Sequence, residues 1–342
     1  MRGVEAGRSL GGLLVALWAA AVGSAAVLSW PVPHPGFVQG EAPETYLQAT
    51  QSGRWESALF GCVRNDGHRF HEGLDLAPIE RSANREARDA IFAAFDGRVA
   101  YVNPVAGNSG YGRYVVLVHD DLSPAVYTLY SHLARIAPEV AEGQRVRSGQ
   151  RLGTMGRSAR YHIPRSRAHL HFELGLRLTD KFAPWYARQG FGTENDHGRY
   201  NGMNLVGFDP LAFFRSQPPG TTPDLAAVWR ELPVGLVLEV RLATVPDFAR
   251  RYPSLVTRRI DRNTLAGWRL RVTPWGLPLY LTPLGEDEVT GLTSPGQVRI
   301  TGIAPDGLDA FACRDMVQRD RQGRYVLDEG GQRMMELLFG LR

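Results

Sequence analysis

The sequence of 342 residues has little lysine, little cysteine and no long apolar run after its first residues. Lys181 is the only lysine, and because arginine stays protonated near neutral pH, the chain offers almost no candidate for a catalytic or Schiff-base lysine. A formal net charge of +4 is small for this length. It favours contact with anionic surfaces, but it is not the basic footprint of a nucleic-acid-binding protein. Apolar residues at 44% and charged residues at 22% indicate a globular chain.

The first 26 residues have the three parts of a secretory signal peptide. Arg2 and Arg8 supply a positive start, residues 10–22 form an apolar run, and residues 24–26 (Ser-Ala-Ala) provide a small-x-small cleavage site. The run is shorter than the about 20 residues that span a bilayer comfortably, and an uncleaved anchor is the alternative. We expect an exported, periplasmic or extracellular protein without stable membrane insertion after cleavage.

Only two cysteines are present, Cys62 and Cys313. In an oxidising compartment they allow a single disulfide, which would join the front of the chain to its end. Two separate buried thiols are equally compatible with the sequence, because sequence does not show whether the two residues meet.

The remaining chain divides by composition into four parts. Residues 27–55 are proline-rich and read as an extended segment, and residues 56–178 are dominated by β-branched and aromatic runs separated by Gly and Asn clusters. Residues 179–220 read as a loop or linker, and residues 221–342 as a smaller α+β accessory domain. The fold class is therefore mainly β, with an antiparallel sheet or sandwich in 56–178. The polar stretch 80–89 is predicted to be a surface excursion with one helical turn at most.

The first chemical motif is His71-Glu-Gly-Leu-Asp75. It superficially resembles the zinc-binding helix motif, but the fifth residue is Asp, Gly73 lies in the middle, and Pro78 prevents a helix from continuing. In extended backbone, residues four apart project to the same face, so His71 and Asp75 are predicted to point towards one ion.

The second motif is His169-Leu-His171, within an apolar run. Residues two apart on a strand share a face, so both imidazoles are predicted to emerge together while Leu170 and Phe172 face the core. The pair indicates metal binding or catalysis more strongly than a structural role, because each buried imidazole would otherwise need a partner.

A third motif, Tyr130-Ser-His132-Leu133, is weak evidence alone. The other histidines are interpreted as structural or exposed: His34, His68, His119, His162 and His197. Two imidazole nitrogens and one carboxylate oxygen would make a three-ligand site with a fourth position for water, which is the composition of catalytic rather than structural zinc.

The three motifs together resemble the lysostaphin/LytM family of peptidases, M23, whose signature is His-x-x-x-Asp, Tyr-x-His-Leu and His-x-His in this order. The resemblance covers about residues 56–178 and includes the flanking segments 60–64, 96–99, 110–112 and 143–153. Two segments depart from the family pattern. The excursion 80–89 is longer than the usual turn, and the loop 156–167 lacks the usual Thr-Gly and is rich in arginine.

The resemblance implies that His71, Asp75 and His171 bind Zn²⁺, and that His132 and His169 are the catalytic pair. It also implies a LytM-like domain that hydrolyses the peptide cross-links or stems of bacterial peptidoglycan, with another wall hydrolase or the division machinery as a partner. The excursion 80–89 and the loop 156–167 should both border the substrate-binding groove of such a domain and affect its cleavage specificity.

Two other functions compete with this one. A LytM-like module without activity could bind the cell wall or activate another hydrolase, but all five polar positions are present here. A cysteine peptidase could use Cys62 as nucleophile with His71 or His132 as base, although Cys62 lacks an electropositive setting. For residues 221–342, structural support or partner binding is favoured over a cover on the groove.

Overall fold

The computed structural model describes residues 27–341, so the predicted signal segment 1–26 lies outside the described residues. The strands are β1 Gly61–Arg64, β2 Arg69–His71, β3 Leu74–Leu76, β4 Ala90–Phe92, β5 Gly97–Asn103, β6 Tyr114–His119, β7 Val126–Ser131, β8 Arg135–Ile136, β9 Arg145–Val146, β10 Arg151–Thr154, β11 Leu170–Arg177, β12 Leu205–Gly207, β13 Leu236–Arg241, β14 Gly267–Val272, β15 Pro278–Leu284, β16 Val298–Ile303, β17 Val317–Arg319 and β18 Tyr325–Leu327. The α-helices are α1 Pro43–Tyr46, α2 Phe182–Arg188, α3 Pro210–Ser216, α4 Leu225–Glu231, α5 Asp247–Arg251, α6 Pro305–Asp309 and α7 Glu329–Phe339. Short 3₁₀ turns lie at Trp55–Ala58, Arg165–Arg167, Gly198–Tyr200, Gly202–Asn204, Pro253–Leu255 and Ala312–Arg314.

A seven-stranded antiparallel sheet forms the centre of the first half. Its order is β12-β11-β7-β6-β5-β9, and β3 also pairs with β11. Along one edge of β11, β3 pairs with residues 170–172 and β12 with residues 175–177, while β7 occupies the other edge. The prediction of a mainly β, antiparallel fold is confirmed. No helix between residues 27 and 341 is long and apolar enough to cross a membrane.

Alternation along β11 separates core residues from polar ones. Leu170, Phe172 and Leu174 are fully buried in the main hydrophobic core, as predicted for the first two. The intervening residues His171 and Glu173 therefore project from the opposite face, because successive side chains of a strand point to opposite sides. This alternation places polar chemistry on one face of an otherwise apolar strand.

The proline-rich segment 27–55 packs on the main core instead of only extending along the surface. Leu28, Trp30 and Tyr46 are buried there, and the Trp30 and Phe37 rings stack with centroids 4.4 Å apart. A small sheet of order β4-β10-β8 contributes Ile91 to the same core.

The second half of the chain, residues 221–342, is α+β, as predicted. Its four-stranded antiparallel sheet has the order β15-β14-β13-β16, and β17 and β18 form a separate hairpin. Its apolar residues join the same core as the first half, and Trp275 Nε1 donates to the Gly207 carbonyl at 2.8 Å. The two halves therefore share a buried interface.

One local prediction from the sequence is wrong. The segment 179–220, predicted as a loop or linker, contains α2, β12 and α3, and β12 extends the central sheet. Its short Leu-Val-Gly strand is too brief to show an alternating pattern. The excursion 80–89 has no helical turn; it folds back on itself through a bridge between Arg81 and Ala87.

Cys62 and Cys313 form a disulfide, with their Cα atoms 5.7 Å apart. The bond joins β1 to the 3₁₀ turn at Ala312–Arg314 and closes a loop whose ends are 251 residues apart in sequence. Because neither cysteine is free, the cysteine-peptidase hypothesis is wrong for this structure.

Replacing both cysteines by serine should lower the free energy of unfolding by about 4 to 5 kcal/mol, since the cross-link restricts the unfolded chain. Urea unfolding of the oxidised wild type and the double variant measures the difference. Reduced wild type is the control and should match the variant. Equal stability of all three would show that the bond adds nothing to the folded state.

Candidate metal centre and active site

Three polar side chains converge at the edge of the central sheet. His71 ends β2, Asp75 is the middle residue of β3, and His171 lies directly opposite Asp75 on β11. His71 Nε2 and His171 Nδ1 are 3.0 Å apart, and Asp75 Oδ1 lies 3.1 Å from the first and 3.0 Å from the second. All three residues are buried. The structure thus brings together the three residues predicted as metal ligands.

The reason for this convergence differs in part from the prediction. His71 and Asp75 do not lie on one continuous strand, because the chain leaves β2 at His71 and enters β3 only at Leu74. Gly73 lies at this break, and a Cβ atom there would come within 2.4 Å of the Phe172 carbonyl oxygen. Only glycine therefore fits between the two ligands while β3 pairs with β11.

Each imidazole has one nitrogen held by a hydrogen bond outside the centre and directs the other nitrogen towards it. His71 Nδ1 donates to the Leu59 carbonyl at 2.7 Å, which leaves Nε2 with its lone pair facing Asp75. His171 Nε2 donates to the Glu173 carboxylate at 2.9 Å, which leaves Nδ1 facing the same point. Hydrogen bonds of this kind orient metal-binding histidines in proteins.

Glu173 is a buried residue of this site that the sequence motifs do not include. It is 1% exposed and accepts hydrogen bonds from Tyr111 at 2.6 Å and Tyr127 at 2.9 Å as well as from His171. Burial, with the Glu173 charge second, holds the pKa of both tyrosines well above the usual value, so both remain donors. The sequence does contain a signal for Glu173, because this residue lies two positions after His171 and so shares its strand face.

Arg64 on β1 contacts Asp75 Oδ2, whereas His71 and His171 contact Oδ1. Burial alone would raise the pKa of Asp75, but His169, His71 and Arg64 outweigh it and hold that pKa well below the usual range. Asp75 is therefore ionised, with Oδ1 available as a ligand. Nothing in the sequence pattern identified Arg64.

Proton uptake competes with metal binding at His171. Burial lowers its pKa, but hydrogen bonds to Asp75 and Glu173 outweigh burial and raise the pKa to about 9. Since a metal ligand must be deprotonated, metal binding at this nitrogen releases a proton and weakens as the pH falls. Burial lowers the pKa of His71, which favours its neutral form.

The donor set and its spacing fit zinc. Bonds of about 2.0–2.1 Å at a tetrahedral angle place ligand atoms about 3.3 Å apart, close to the 3.0–3.1 Å observed. Within residues 27–341, His71, Asp75 and His171 are the one group of His, Cys, Asp or Glu residues in which three potential ligand atoms all lie within 4.8 Å of one another. Two imidazoles and one carboxylate leave a fourth tetrahedral position open.

His132 and His169 lie beside this centre with their ring centroids 4.7 Å apart. His132 Nδ1 donates to the Ser158 carbonyl at 2.8 Å, and His169 Nδ1 donates to the Arg167 carbonyl at 2.7 Å. Both Nε2 atoms are therefore left without a proton. Burial is the largest cause that lowers the pKa of each, to well below the usual value for His132.

The remaining histidines lie outside this group. His119 is buried at the end of β6, where its two nitrogens contact the Asp96 carbonyl and Thr128 Oγ1 at 2.8 Å each. His197 is buried against Tyr101. His162 is exposed but lines the same cavity as the centre, and His34 and His68 have no role in it.

A cavity of about 1310 Å³ contains all five predicted site residues. The second half of the chain supplies part of its wall, including Trp275, Arg314 and Arg333. The Arg314 guanidinium lies 4.5 Å from the centre of the ring of Phe70, the residue that precedes His71. The sequence favours structural support or partner binding for residues 221–342, and the structure adds that some of these residues also border the cavity.

Residues 69–182 match the sequence profile of Peptidase family M23. The chain is similar to a zinc containing peptidase from Vibrio cholerae, at 27% identity over 44% of this chain and 36% of that one, with a TM-score of 0.28. It is also similar to a mutant catalytic domain of the prophage-encoded M23 protein EnpA from Enterococcus faecalis (23% identity, 38% and 80% covered, TM-score 0.27). The catalytic domain of lysostaphin from Staphylococcus simulans matches at 18% identity, with 46% and 86% covered and a TM-score of 0.28. The chain thus spans little more than a third of the Vibrio cholerae protein, and no curated protein matches it.

Proposed function

Because residues 69–182 form a domain of peptidase family M23, we propose that the protein is a zinc-dependent endopeptidase of bacterial peptidoglycan. Its substrates are the peptide cross-links or stems of the cell wall. The zinc ligands are His71, Asp75 and His171, and the catalytic pair is His132 and His169.

The observation that carries this proposal is the convergence of two imidazole nitrogens and one carboxylate oxygen beside two further imidazoles with unprotonated Nε2 atoms. A bound zinc ion would lower the pKa of its water to about 7 and polarise the peptide carbonyl. A non-catalytic module needs neither the open fourth position nor the second pair of histidines.

His132 and His169 have the protonation state that a general base requires. Each keeps its proton on Nδ1, held by a backbone carbonyl, and each can accept another on Nε2. A protonated Nε2 can then donate to the leaving amine or stabilise the oxyanion, so the pair can serve both halves of the hydrolysis. The bonds to fixed carbonyls orient both rings before substrate binds.

Export to the cell envelope completes the proposal. The charged and apolar pattern of residues 1–26 predicts secretion, and the bond between Cys62 and Cys313 is of a kind that persists in oxidising compartments. In that location the protein can meet peptidoglycan, and another wall hydrolase or a division protein is the proposed partner.

Removing the metal should abolish hydrolysis. Treatment with 1,10-phenanthroline is expected to reduce release of peptide products from purified muropeptides by about 10³-fold, since metal polarisation supplies several kcal/mol and each 1.36 kcal/mol is a factor of ten in rate. One equivalent of Zn²⁺ should restore the rate. The measurement combines zinc analysis with chromatography of the digest.

The same assay separates the alternative function. Protein that carries one zinc per chain, binds sacculi and releases no peptide would support the module without activity. Hydrolysis that persists after the chelator has removed all zinc would contradict the proposed role of the metal. Treatment with iodoacetamide is the control and should leave the rate unchanged, because both cysteines are bonded.

A further inference from the structure

The excursion 80–89 contacts the arginine-rich loop 156–167 through one carboxylate. Glu86 accepts two hydrogen bonds from Arg157, at 2.9 and 3.0 Å, and one from Arg165 at 2.8 Å. The Glu86 side chain is 33% exposed, and its bond to Arg157 is the largest cause that lowers its pKa. Two-pronged contacts between arginine and a carboxylate fix orientation as well as distance.

Further hydrogen bonds make this contact rigid. Arg157 Nη1 donates to the Ile163 carbonyl at 2.9 Å, which closes the middle of the loop on itself. From the excursion, Arg81 Nη1 donates to the Arg165 carbonyl at 2.7 Å. The base of the excursion is held by Asp89, whose carboxylate accepts from the backbone N–H of Glu80 at 3.2 Å.

The loop also carries the two carbonyls that hold the catalytic histidines. Ser158, which accepts from His132, directly follows Arg157, and Arg167, which accepts from His169, lies two residues after Arg165. Both arginines that bind Glu86 are therefore within two residues of a carbonyl that orients an imidazole. A shift of the loop at Arg157 or Arg165 would move the neighbouring carbonyl, and with it the imidazole of His132 or His169 that donates to that carbonyl.

Charge explains why the loop needs this partner. Four arginines lie between residues 157 and 167, with no acidic residue among them, and like charges so close repel one another. Within residues 27–341, the ion pairs of these arginines go to Glu86 alone. The two segments that depart from the family pattern are thus the two sides of one contact.

We propose that Glu86 is a positioning residue that sets the orientation of His132 and His169 by holding Arg157 and Arg165. This inference rests on the proposed function for its effect on catalysis, but its effect on the rings does not require activity. The excursion 80–89 is then a support for the active-site loop.

The Glu86→Gln variant tests this role, with Glu288→Gln as the matched control. Glu288 is also 33% exposed and also binds an arginine, Arg258. It lies between β15 and β16, distant in sequence from the histidines, and does not line the cavity. Glu86→Gln should lower kcat by about 10-fold to 10²-fold, because small misplacements of catalytic groups have effects of this size. KM, zinc content and the unfolding temperature should stay close to the wild type, and Glu288→Gln should change none of the four quantities.

A second readout uses metal-free protein labelled with ¹⁵N-histidine. The Nδ1–H signals of His132 and His169 should shift or broaden in Glu86→Gln and remain in place in Glu288→Gln. Glu86→Asp, which keeps the charge, should recover most of the wild-type spectrum. Arg157→Lys, which keeps the cation but loses the two-pronged contact, should repeat the effect from the other partner.

The outcomes are distinct. Unchanged imidazole signals in both Glu86→Gln and Arg157→Lys would overturn the positioning role, whatever the activity. A fall in kcat accompanied by an equal loss of folded protein would also overturn it, because it would reduce Glu86 to a stability contact. A wild type without peptidase activity would end the proposed function, while the ring signals would still decide the role of Glu86.

Discussion

Replacing His171 by alanine should remove both the bound zinc and the peptidase activity. The variant loses the ligand that lies between Asp75 and Glu173, and we expect its zinc content to fall below about one tenth of the wild type after dialysis. Hydrolysis of muropeptides should fall by about 10³-fold or more, because the loss equals that of the metal. Zinc analysis and chromatography of the digest measure both effects on the same sample.

His162→Ala is the matched control, since His162 is an exposed histidine in the same cavity without a contact to the centre. It should retain zinc and activity. Asp75→Asn provides a second ligand variant that keeps the side-chain shape, and it should fail in the same way. Full zinc content in folded His171→Ala and Asp75→Asn would place the metal elsewhere and end the case for this centre.

Replacing His132 by asparagine should separate catalysis from metal binding. His132 has a φ of 59°, in the left-handed region, which asparagine tolerates better than alanine. The variant should keep its zinc, because His132 is not among the three converging ligands, while kcat falls by about 10²-fold to 10⁴-fold, the usual contribution of a general base. Steady-state kinetics with a defined muropeptide, together with zinc analysis, measure the two effects.

The pattern across variants is the decisive comparison. His169→Asn should resemble His132→Asn, and a double variant should lose little more than either alone if the two rings act as a unit. Loss of zinc in both single variants would mean that these histidines are ligands. Wild-type kcat in both would remove them from the chemistry.

The site was predictable from sequence where strand alternation applies. His171 and Asp75 face each other because β11 and β3 pair in register, and the neighbouring Leu170 and Phe172 point into the core. His71 was identified for a partly wrong reason, since the break at Gly73, rather than one extended strand, brings it to Asp75. Glu173 followed from the same alternation and was overlooked.

Other parts of the site leave no mark in side-chain patterns. The groups that orient His71, His132 and His169 are backbone carbonyls, which every residue carries. The groove wall around Arg314 depends on contacts between segments far apart in the chain. β12 was missed because three residues are too few to define a period.

The bond between Cys62 and Cys313 has a consequence for the order of events during synthesis. A ribosome makes Cys62 and the ligand segment 71–75 early, yet the sulfur that Cys62 requires comes 251 residues later. Until then the nascent chain carries an unpaired thiol in the segment that becomes β1. Closure of the bond therefore requires that translation has passed Cys313, and a prematurely terminated chain keeps a free thiol at Cys62 where the finished protein has none.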